Sequence, residues 1–183
     1  MMRLPYWLLW LGLLLQRLAE LRRSRANAAG IKGSLADPEG YPLMVTVHVG
    51  LFVFPVLESR LTHASKSVAG TWAAVLLTAA VLRLSSIHAL SRQWNVRGLV
   101  PADLHPVTSG PYRFIRHPNY LAVAVEVAAL PLATGAWRSA IGLTLANTWV
   151  LRRRIRAEER LLFANPDYRR AFTSKRRFIP GVL

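Results

Sequence analysis

Apolar runs alternate with arginine-rich segments along this chain. Five apolar stretches stand out, at 4–15, 41–57, 68–90, 121–133 and 139–151, and polar or basic segments separate them. This alternation is typical of membrane proteins that cross the bilayer several times. The pattern therefore predicts an all-α fold, a polytopic membrane protein with about five transmembrane helices.

The first, fourth and fifth stretches need separate interpretation. The first continues through Gln16, Arg17 and Glu20, so we expect a helix ending near Leu21; a signal peptide has a similar apolar core, but no small-residue cleavage site follows. The fourth would be only about 20 Å long as a helix, short for a full span. The fifth is predicted to continue as a charged helix up to the break at 165–167.

Composition and charge fit the same picture. The 183 residues are 52% hydrophobic yet carry a formal net charge of +15. The basic segments are 22–32, 92–116 and 152–177, and the positive-inside rule places them in the cytoplasm. Five crossings with the C-terminus inside then put 22–40, 91–117 and 152–183 on one side. A nucleic-acid-binding domain would also be basic, but it would not need five apolar stretches.

Some chemistries are disfavoured by the residue types. There is no cysteine, so disulfides, thiolate metal sites and thiol nucleophiles are excluded. His48, His88 and His117 do not have a metal-ligand spacing, and no metal site is expected.

The segment 108–120, TSGPYRFIRHPNY, carries the densest candidate chemistry. Gly110-Pro111 indicates a turn, and Pro118 suits the first position of the apolar helix that follows. Free backbone N–H groups at a helix start attract anions, and Arg116 and His117 add positive charge. A basic loop end with interfacial tyrosines would give the same composition, so both interpretations stay open here.

A second constellation lies on the fifth helix, where Arg154 and Glu158 are neighbours at i, i+4 spacing. Glu158 and Glu159 could also simply neutralise the surrounding arginines. The residues predicted to share one helical face are Asn147, Val150, Leu151, Arg154, Glu158 and Leu161.

Glu126 is an acid inside an apolar run, which makes it a candidate functional residue. The alternative is a structural role, as the buried partner of Arg83 or Asn147.

These groups together suit one kind of ligand. A positive helix start suits a carboxylate, tyrosine and tryptophan suit an adenine or a sulfonium, and a glutamate suits an ammonium group. An amino-acid-bearing nucleotide such as S-adenosylmethionine has all of these. The chain has no Rossmann-type glycine fingerprint, so such a cofactor would need another fold.

The segment 104–120, LHPVTSGPYRFIRHPNY, followed by Arg154-x-x-x-Glu158-Glu159, resembles the isoprenylcysteine carboxyl methyltransferase and phospholipid methyltransferase families of membrane enzymes. The resemblance covers 68–183, the expected methyltransferase core, whereas 1–67 would supply the first two transmembrane helices. The N-terminal motifs RLAEL at 17–21 and SxxN at 24–27 resemble bacterial members, including those that O-methylate alkylpyrones.

The resemblance implies a short multi-helix membrane fold that binds S-adenosylmethionine at its cytoplasmic end. Glu158 matches the family's cofactor-binding glutamate, and Arg97 stands where the family has a glutamine that contacts the cofactor. Pro106 replaces a more usual aliphatic residue. The cofactor-binding positions implied by the resemblance are Arg97, His105, Val107, Tyr112, Arg116, His117, Pro118, Asn119, Tyr120 and Glu158.

The expected reaction is methyl transfer to an oxygen of a lipophilic acceptor. Arg154 matches the arginine that faces the acceptor, and Glu126 or Glu158 would help if a hydroxyl or enol must lose a proton. The predicted partners are a lipophilic small molecule or lipid and the membrane, not nucleic acid. The expected location is a bacterial inner membrane with the site facing the cytoplasm. Two alternatives are a nicotinamide-dependent membrane reductase of the sterol type and a non-catalytic membrane scaffold.

Overall fold

The computed structural model describes residues 4–62 and 64–178. The start of the predicted N-terminal helix at 1–3, His63 in the 58–67 loop and residues 179–183 of the predicted basic tail lie outside the described residues. Within the described part, most of the chain is helical: α1 (Leu4–Ala29), α2 (Gly40–Glu58), α3 (Lys66–Leu90), α4 (Pro118–Leu132), α5 (Trp137–Leu162) and α6 (Pro166–Phe172).

Helices α2 to α5 coincide with four of the predicted apolar stretches, and that part of the prediction is confirmed. The predicted end of the first helix near Leu21 is wrong, because α1 continues to Ala29. Its last two turns are held by distant partners: the Ser24 hydroxyl accepts from the Val96 amide at 3.0 Å, and Asn27 donates to the Trp94 carbonyl at 2.6 Å. The polar residues after 21 therefore continue a helix instead of starting a loop.

The prediction of an all-α fold also needs a correction. Strand β1 (Gly33–Leu35) pairs antiparallel with β2 (Leu99–Pro101), so a small sheet joins the α1–α2 connection to the loop after α3. Gly33 permits this close approach, since a Cβ there would lie 2.0 Å from the Val100 carbonyl oxygen. The sheet fixes one wall of the site described below.

Two helical segments, Gly40–Glu58 and Val68–Gln93, are long and apolar enough to cross a membrane. Helix α4 is apolar but short, and the C-terminal parts of α1 and α5 carry charged residues. The five-crossing topology is not established by these lengths and stays a prediction.

The helices pack around one apolar core, which includes Leu51, Val127 and Leu130, all fully buried. The Glu58 carboxylate at the end of α2 accepts from the backbone amides of Arg138 and Ser139 at 3.0 and 2.7 Å. An anion is favourable at the start of a helix, so this contact joins the end of α2 to the start of α5.

A second apolar cluster packs the long loop against the C-terminal helices. Its buried members are Val100, Tyr112, Leu162, Tyr168 and Phe172. Because the loop segment 99–112 and α5–α6 share this cluster, the candidate residues predicted on both parts of the chain come together.

Candidate active site

A polar cavity of about 780 Å³, measured with its open mouth, lies between the long loop, the start of α4 and the end of α5. Eight of the predicted cofactor-binding residues line it: His105, Val107, Tyr112, Arg116, His117, Asn119, Tyr120 and Glu158.

The motif around His117 is held by the C-terminal tail. Pro118 is the first residue of α4, as predicted. The backbone amides of Arg116 and His117 donate to the carbonyls of Arg176 and Arg177 at 2.9 and 3.0 Å, and the Lys175 ammonium donates to the Tyr112 carbonyl at 2.8 Å. These two amides are therefore engaged with the chain itself, and they precede the first turn of α4, whose backbone N–H groups the sequence analysis proposed for anion binding.

Glu159 supports the motif from behind. Its carboxylate lies 3.1 Å from His117 Nε2, 3.4 Å from Arg116 Nη1 and 2.5 Å from Arg177 Nη2. Burial alone would raise the pKa of Glu159, but the hydrogen bonds from His117 and Arg177 and the charge of Arg116 lower it to about 2. Glu159 thus has a structural role. It pairs with arginines, which is one of the two interpretations that the sequence analysis gave for the acidic pair.

The depressed pKa of Glu159 predicts an acid-sensitive fold. A carboxylate with a lower pKa in the folded state contributes stability above its unfolded pKa of 4.5, and this contribution is lost as the pH falls toward about 2. Thermal unfolding between pH 5 and pH 2 should therefore show falling stability (a window of roughly three units). Glu159→Gln should be less stable at neutral pH and show a shallower decline; parallel curves for the two proteins would contradict the assignment.

Glu158, one residue earlier, lines the polar cavity and is connected to Arg154 through the Tyr120 hydroxyl. The Tyr120 hydroxyl donates to Glu158 Oε2 at 2.5 Å and accepts from Arg154 Nε at 2.8 Å. Arg154 also donates through Nη2 to the Val96 carbonyl. The predicted face of α5 is confirmed for Asn147, Val150, Leu151 and Arg154, which are buried.

Arg154 has one hydrogen-bond donor without a partner among the described residues. The side chain is 2% exposed, and this donor is its Nη1. A buried guanidinium N–H without a partner costs free energy unless a ligand uses it. The arrangement therefore leaves one arm of the planar fork available to a bound molecule.

Gly98 makes room for that guanidinium. Its φ is +71°, and a Cβ there would lie 3.0 Å from Arg154 Nη2. We expect Gly98→Ala to cost on the order of 1 kcal/mol from the left-handed backbone and also to displace Arg154. The activity of the site should then fall further than the loss of thermal stability alone would explain.

Gly142→Ala is the matched control for that substitution. Nothing lies within 4 Å of a Cβ at Gly142, which sits inside α5, so alanine there should be neutral or slightly stabilising. Equal behaviour of the two variants in activity and thermal unfolding would show that Gly98 does not position Arg154.

A second, apolar cavity of about 960 Å³, also measured with its open mouth, adjoins the first. The two cavities share Asn95, Asn119 and Tyr120 in their walls, whereas Glu158 lines only the polar cavity and Arg154 only the apolar one. The wall around Tyr120 is thus where a polar and an apolar ligand would meet.

Three predicted site residues lie apart from the cavity walls. The Arg97 guanidinium lies over the Tyr41 ring, 5.8 Å from its centroid, outside the polar cavity. Pro118 is buried at the start of α4. Glu126 is fully buried and lines neither cavity; it pairs with Arg17, not with Arg83 or Asn147 as its structural interpretation supposed.

Several residues in the apolar cavity were not predicted from the sequence to belong to a site. Arg17, Glu20, His48 and Arg83 line it, and the Glu20 carboxylate binds Arg83 through two hydrogen bonds of 2.8 and 2.7 Å. Ionisable residues inside apolar segments are costly and were the available signal. The tail residue Arg177 was also missed, because only its contact with Glu159 shows its role.

Two comparisons with known proteins bear on this geometry. A model of the isoprenylcysteine carboxyl methyltransferase family matches residues 72–164, which contain both the loop motif and the Arg154–Glu159 segment. The chain is also 32% identical to the uncharacterized protein YpbQ of Bacillus subtilis (strain 168), over 86% of this chain and 96% of that protein. The chain belongs to the isoprenylcysteine carboxyl methyltransferase family, which implies a membrane methyltransferase.

Proposed function

We propose that the protein transfers a methyl group from S-adenosylmethionine to an oxygen of a lipophilic acceptor. One observation carries the proposal: Tyr120 connects a glutamate in a polar cavity to an arginine in an adjoining apolar cavity. A polar cofactor and a lipophilic acceptor would then approach from opposite sides of one wall. Family membership supports the reaction type.

The polar cavity fits the cofactor's chemistry. Two buried atoms, Arg116 Nε and Asn119 Oδ1, have no hydrogen-bond partner among the described residues. They offer a charged donor for a carboxylate and an acceptor for an ammonium or hydroxyl group. Glu158 adds an anion for the ammonium, and Tyr112 and Tyr168 supply aromatic surface for the adenine. The implied cofactor site therefore offers partners for the carboxylate, the ammonium group and the adenine of the molecule.

The bound cofactor supplies an electrophilic methyl group on a sulfonium, and the protein's part is positioning. Displacement at a methyl group requires the acceptor oxygen in line with the breaking bond, so orientation and exclusion of water dominate catalysis. Arg154 lines the apolar cavity, and its unpartnered Nη1 would donate a hydrogen bond to an acceptor oxygen that enters from there. Its other two nitrogens are fixed by Tyr120 and Val96, which holds the fork in one orientation.

The test uses the purified full chain in lipid nanodiscs. S-adenosylhomocysteine should bind in calorimetry, and label from methyl-labelled S-adenosylmethionine should appear in lipids extracted from the native membrane. Mass spectrometry of the labelled product then names the acceptor. Binding of NADPH without binding of S-adenosylhomocysteine would favour the reductase alternative, and binding of neither would favour a scaffold.

The same proposal places the polar cavity on the cytoplasmic side of the inner membrane. The arginine asymmetry of the sequence predicts it, and single cysteines can test it because the chain has none. Ser34 and Ser174 are both exposed. Ser34→Cys and Ser174→Cys should react with a membrane-impermeant thiol reagent only after the cytoplasmic face is opened; labelling from opposite sides would refute the topology.

A further inference from the structure

We propose that the apolar cavity contains a second polar subsite, formed by Arg17, His48 and Arg83, which binds a hydroxyl group on the chain of the acceptor. The inference rests on the proposed function, because it describes the molecule that would enter this cavity. It identifies the acceptor as a lipophilic molecule with a polar group well away from the oxygen that is methylated.

The subsite lies deeper in the helix bundle than the Tyr120–Arg154 contact. Arg17 pairs with Glu126, which is six residues after Tyr120 on α4, a rise of about 9 Å along the helix. The same apolar cavity extends from Tyr120 to Arg17. A ligand whose head meets Arg154 would therefore carry its chain past Arg17.

The charges around the subsite cancel. Arg17 binds Glu20 at 2.7 Å and also pairs with Glu126, and Arg83 binds Glu20 at 2.7 Å. Two arginines thus face two glutamates, and a charged ligand group would leave an unpaired charge inside an apolar bundle. The subsite favours a neutral polar group.

The ion pairs leave specific hydrogen-bond donors unused. Arg17 is 8% exposed and Arg83 is 4% exposed, and both line the cavity. Arg17 Nε and Arg83 Nη1 have no hydrogen-bond partner among the described residues. If the two arginines only joined helices, these buried N–H groups without partners would cost free energy that nothing offsets. A ligand oxygen that accepts from them removes that cost.

His48 supplies the complementary acceptor. It lies in the middle of the α2 face that lines the cavity. The charged groups that interact with it electrostatically are Arg17, Glu20 and Arg83. Its Nδ1 is 2.8 Å from the Met44 carbonyl, and a carbonyl only accepts, so Nδ1 carries the proton. Neutral His48 therefore offers the lone pair of Nε2. A hydroxyl group satisfies both sides, since it accepts from a guanidinium and donates to an imidazole; a carbonyl would satisfy only the arginines.

A pair of probes tests the subsite by binding alone. Stearic acid and its mid-chain hydroxylated analogue would be titrated against the full chain in nanodiscs, by competition with a fluorescent fatty acid. We expect the wild-type protein to bind the hydroxylated probe at least about tenfold more tightly, since plain stearate leaves the donors unpaired. Equal affinities, or no binding of either probe, would overturn the proposal.

Variants locate the preference. His48→Phe keeps the size of the side chain and removes the acceptor, so it should abolish most of the preference, and His48→Gln should restore part of it. Val49→Ala, at the next position in the same cavity wall, should lower both affinities and keep their ratio. An unchanged ratio in His48→Phe would also overturn the proposal. Calorimetry with S-adenosylhomocysteine on the same preparations separates failure of this subsite from failure of the proposed methyltransferase function.

Discussion

Replacing Glu158 by glutamine is expected to lower the affinity for S-adenosylhomocysteine at least about tenfold while leaving the fold intact. The carboxylate lines the polar cavity, and loss of a charge-assisted hydrogen bond to a ligand costs about 1.5–3 kcal/mol. The amide oxygen of glutamine can still accept from the Tyr120 hydroxyl, so the internal contact survives. Calorimetry in nanodiscs measures the affinity, and thermal unfolding checks the fold.

Glu159→Gln is the matched control, because it makes the same chemical change one residue further along. Its carboxylate faces Arg116, His117 and Arg177, so its loss leaves cations without their partner. We expect a melting temperature lower by several degrees and a smaller effect on ligand affinity. If Glu159→Gln weakened binding more than Glu158→Gln at equal stability, the assignment of the two acids would be reversed.

This pair of acids shows why part of the site could not be predicted from the sequence. Neighbouring residues on a helix point about 100° apart, and periodicity alone does not say which one faces a ligand. The resemblance singled out Glu158. In the structure Glu158 contacts Tyr120, whereas Glu159 contacts Arg177. The loop motif was more predictable, since Pro118 and the residues just before it act through local geometry at a helix start.

The fold divides in a similar way. Helices α2 to α5 follow from long apolar runs, which the sequence displays directly. The extension of α1 to Ala29 depends on Trp94 and Val96, about seventy residues further along the chain, and polar side chains there look like a loop until those partners are known. Likewise Arg17 and Glu126 are 109 positions apart, so their pairing needed the packed bundle.

Arg154→Lys is expected to reduce methyl transfer by on the order of a hundredfold, the usual effect of removing a fixed donor from a reacting oxygen. Affinity for S-adenosylhomocysteine should stay within about twofold, because Arg154 lines the apolar cavity and not the polar cavity proposed for the cofactor. The physical reason is shape. The planar guanidinium of Arg154 donates hydrogen bonds to Tyr120 and Val96 and leaves Nη1 for the proposed acceptor. A lysine ammonium cannot donate in these three directions with the same geometry.

Arg152→Lys is the control for charge alone. Arg152 is exposed on the same helix, two residues away, so lysine there preserves charge and topology without touching the site. Label transfer into extracted membrane lipids would be measured for both variants beside the wild-type protein, with calorimetry confirming that each binds S-adenosylhomocysteine. Wild-type turnover in Arg154→Lys would remove Arg154 from the reaction. Loss of turnover in both variants would show that the effect is not specific to Arg154, and it would contradict the assignment of that residue to the acceptor oxygen.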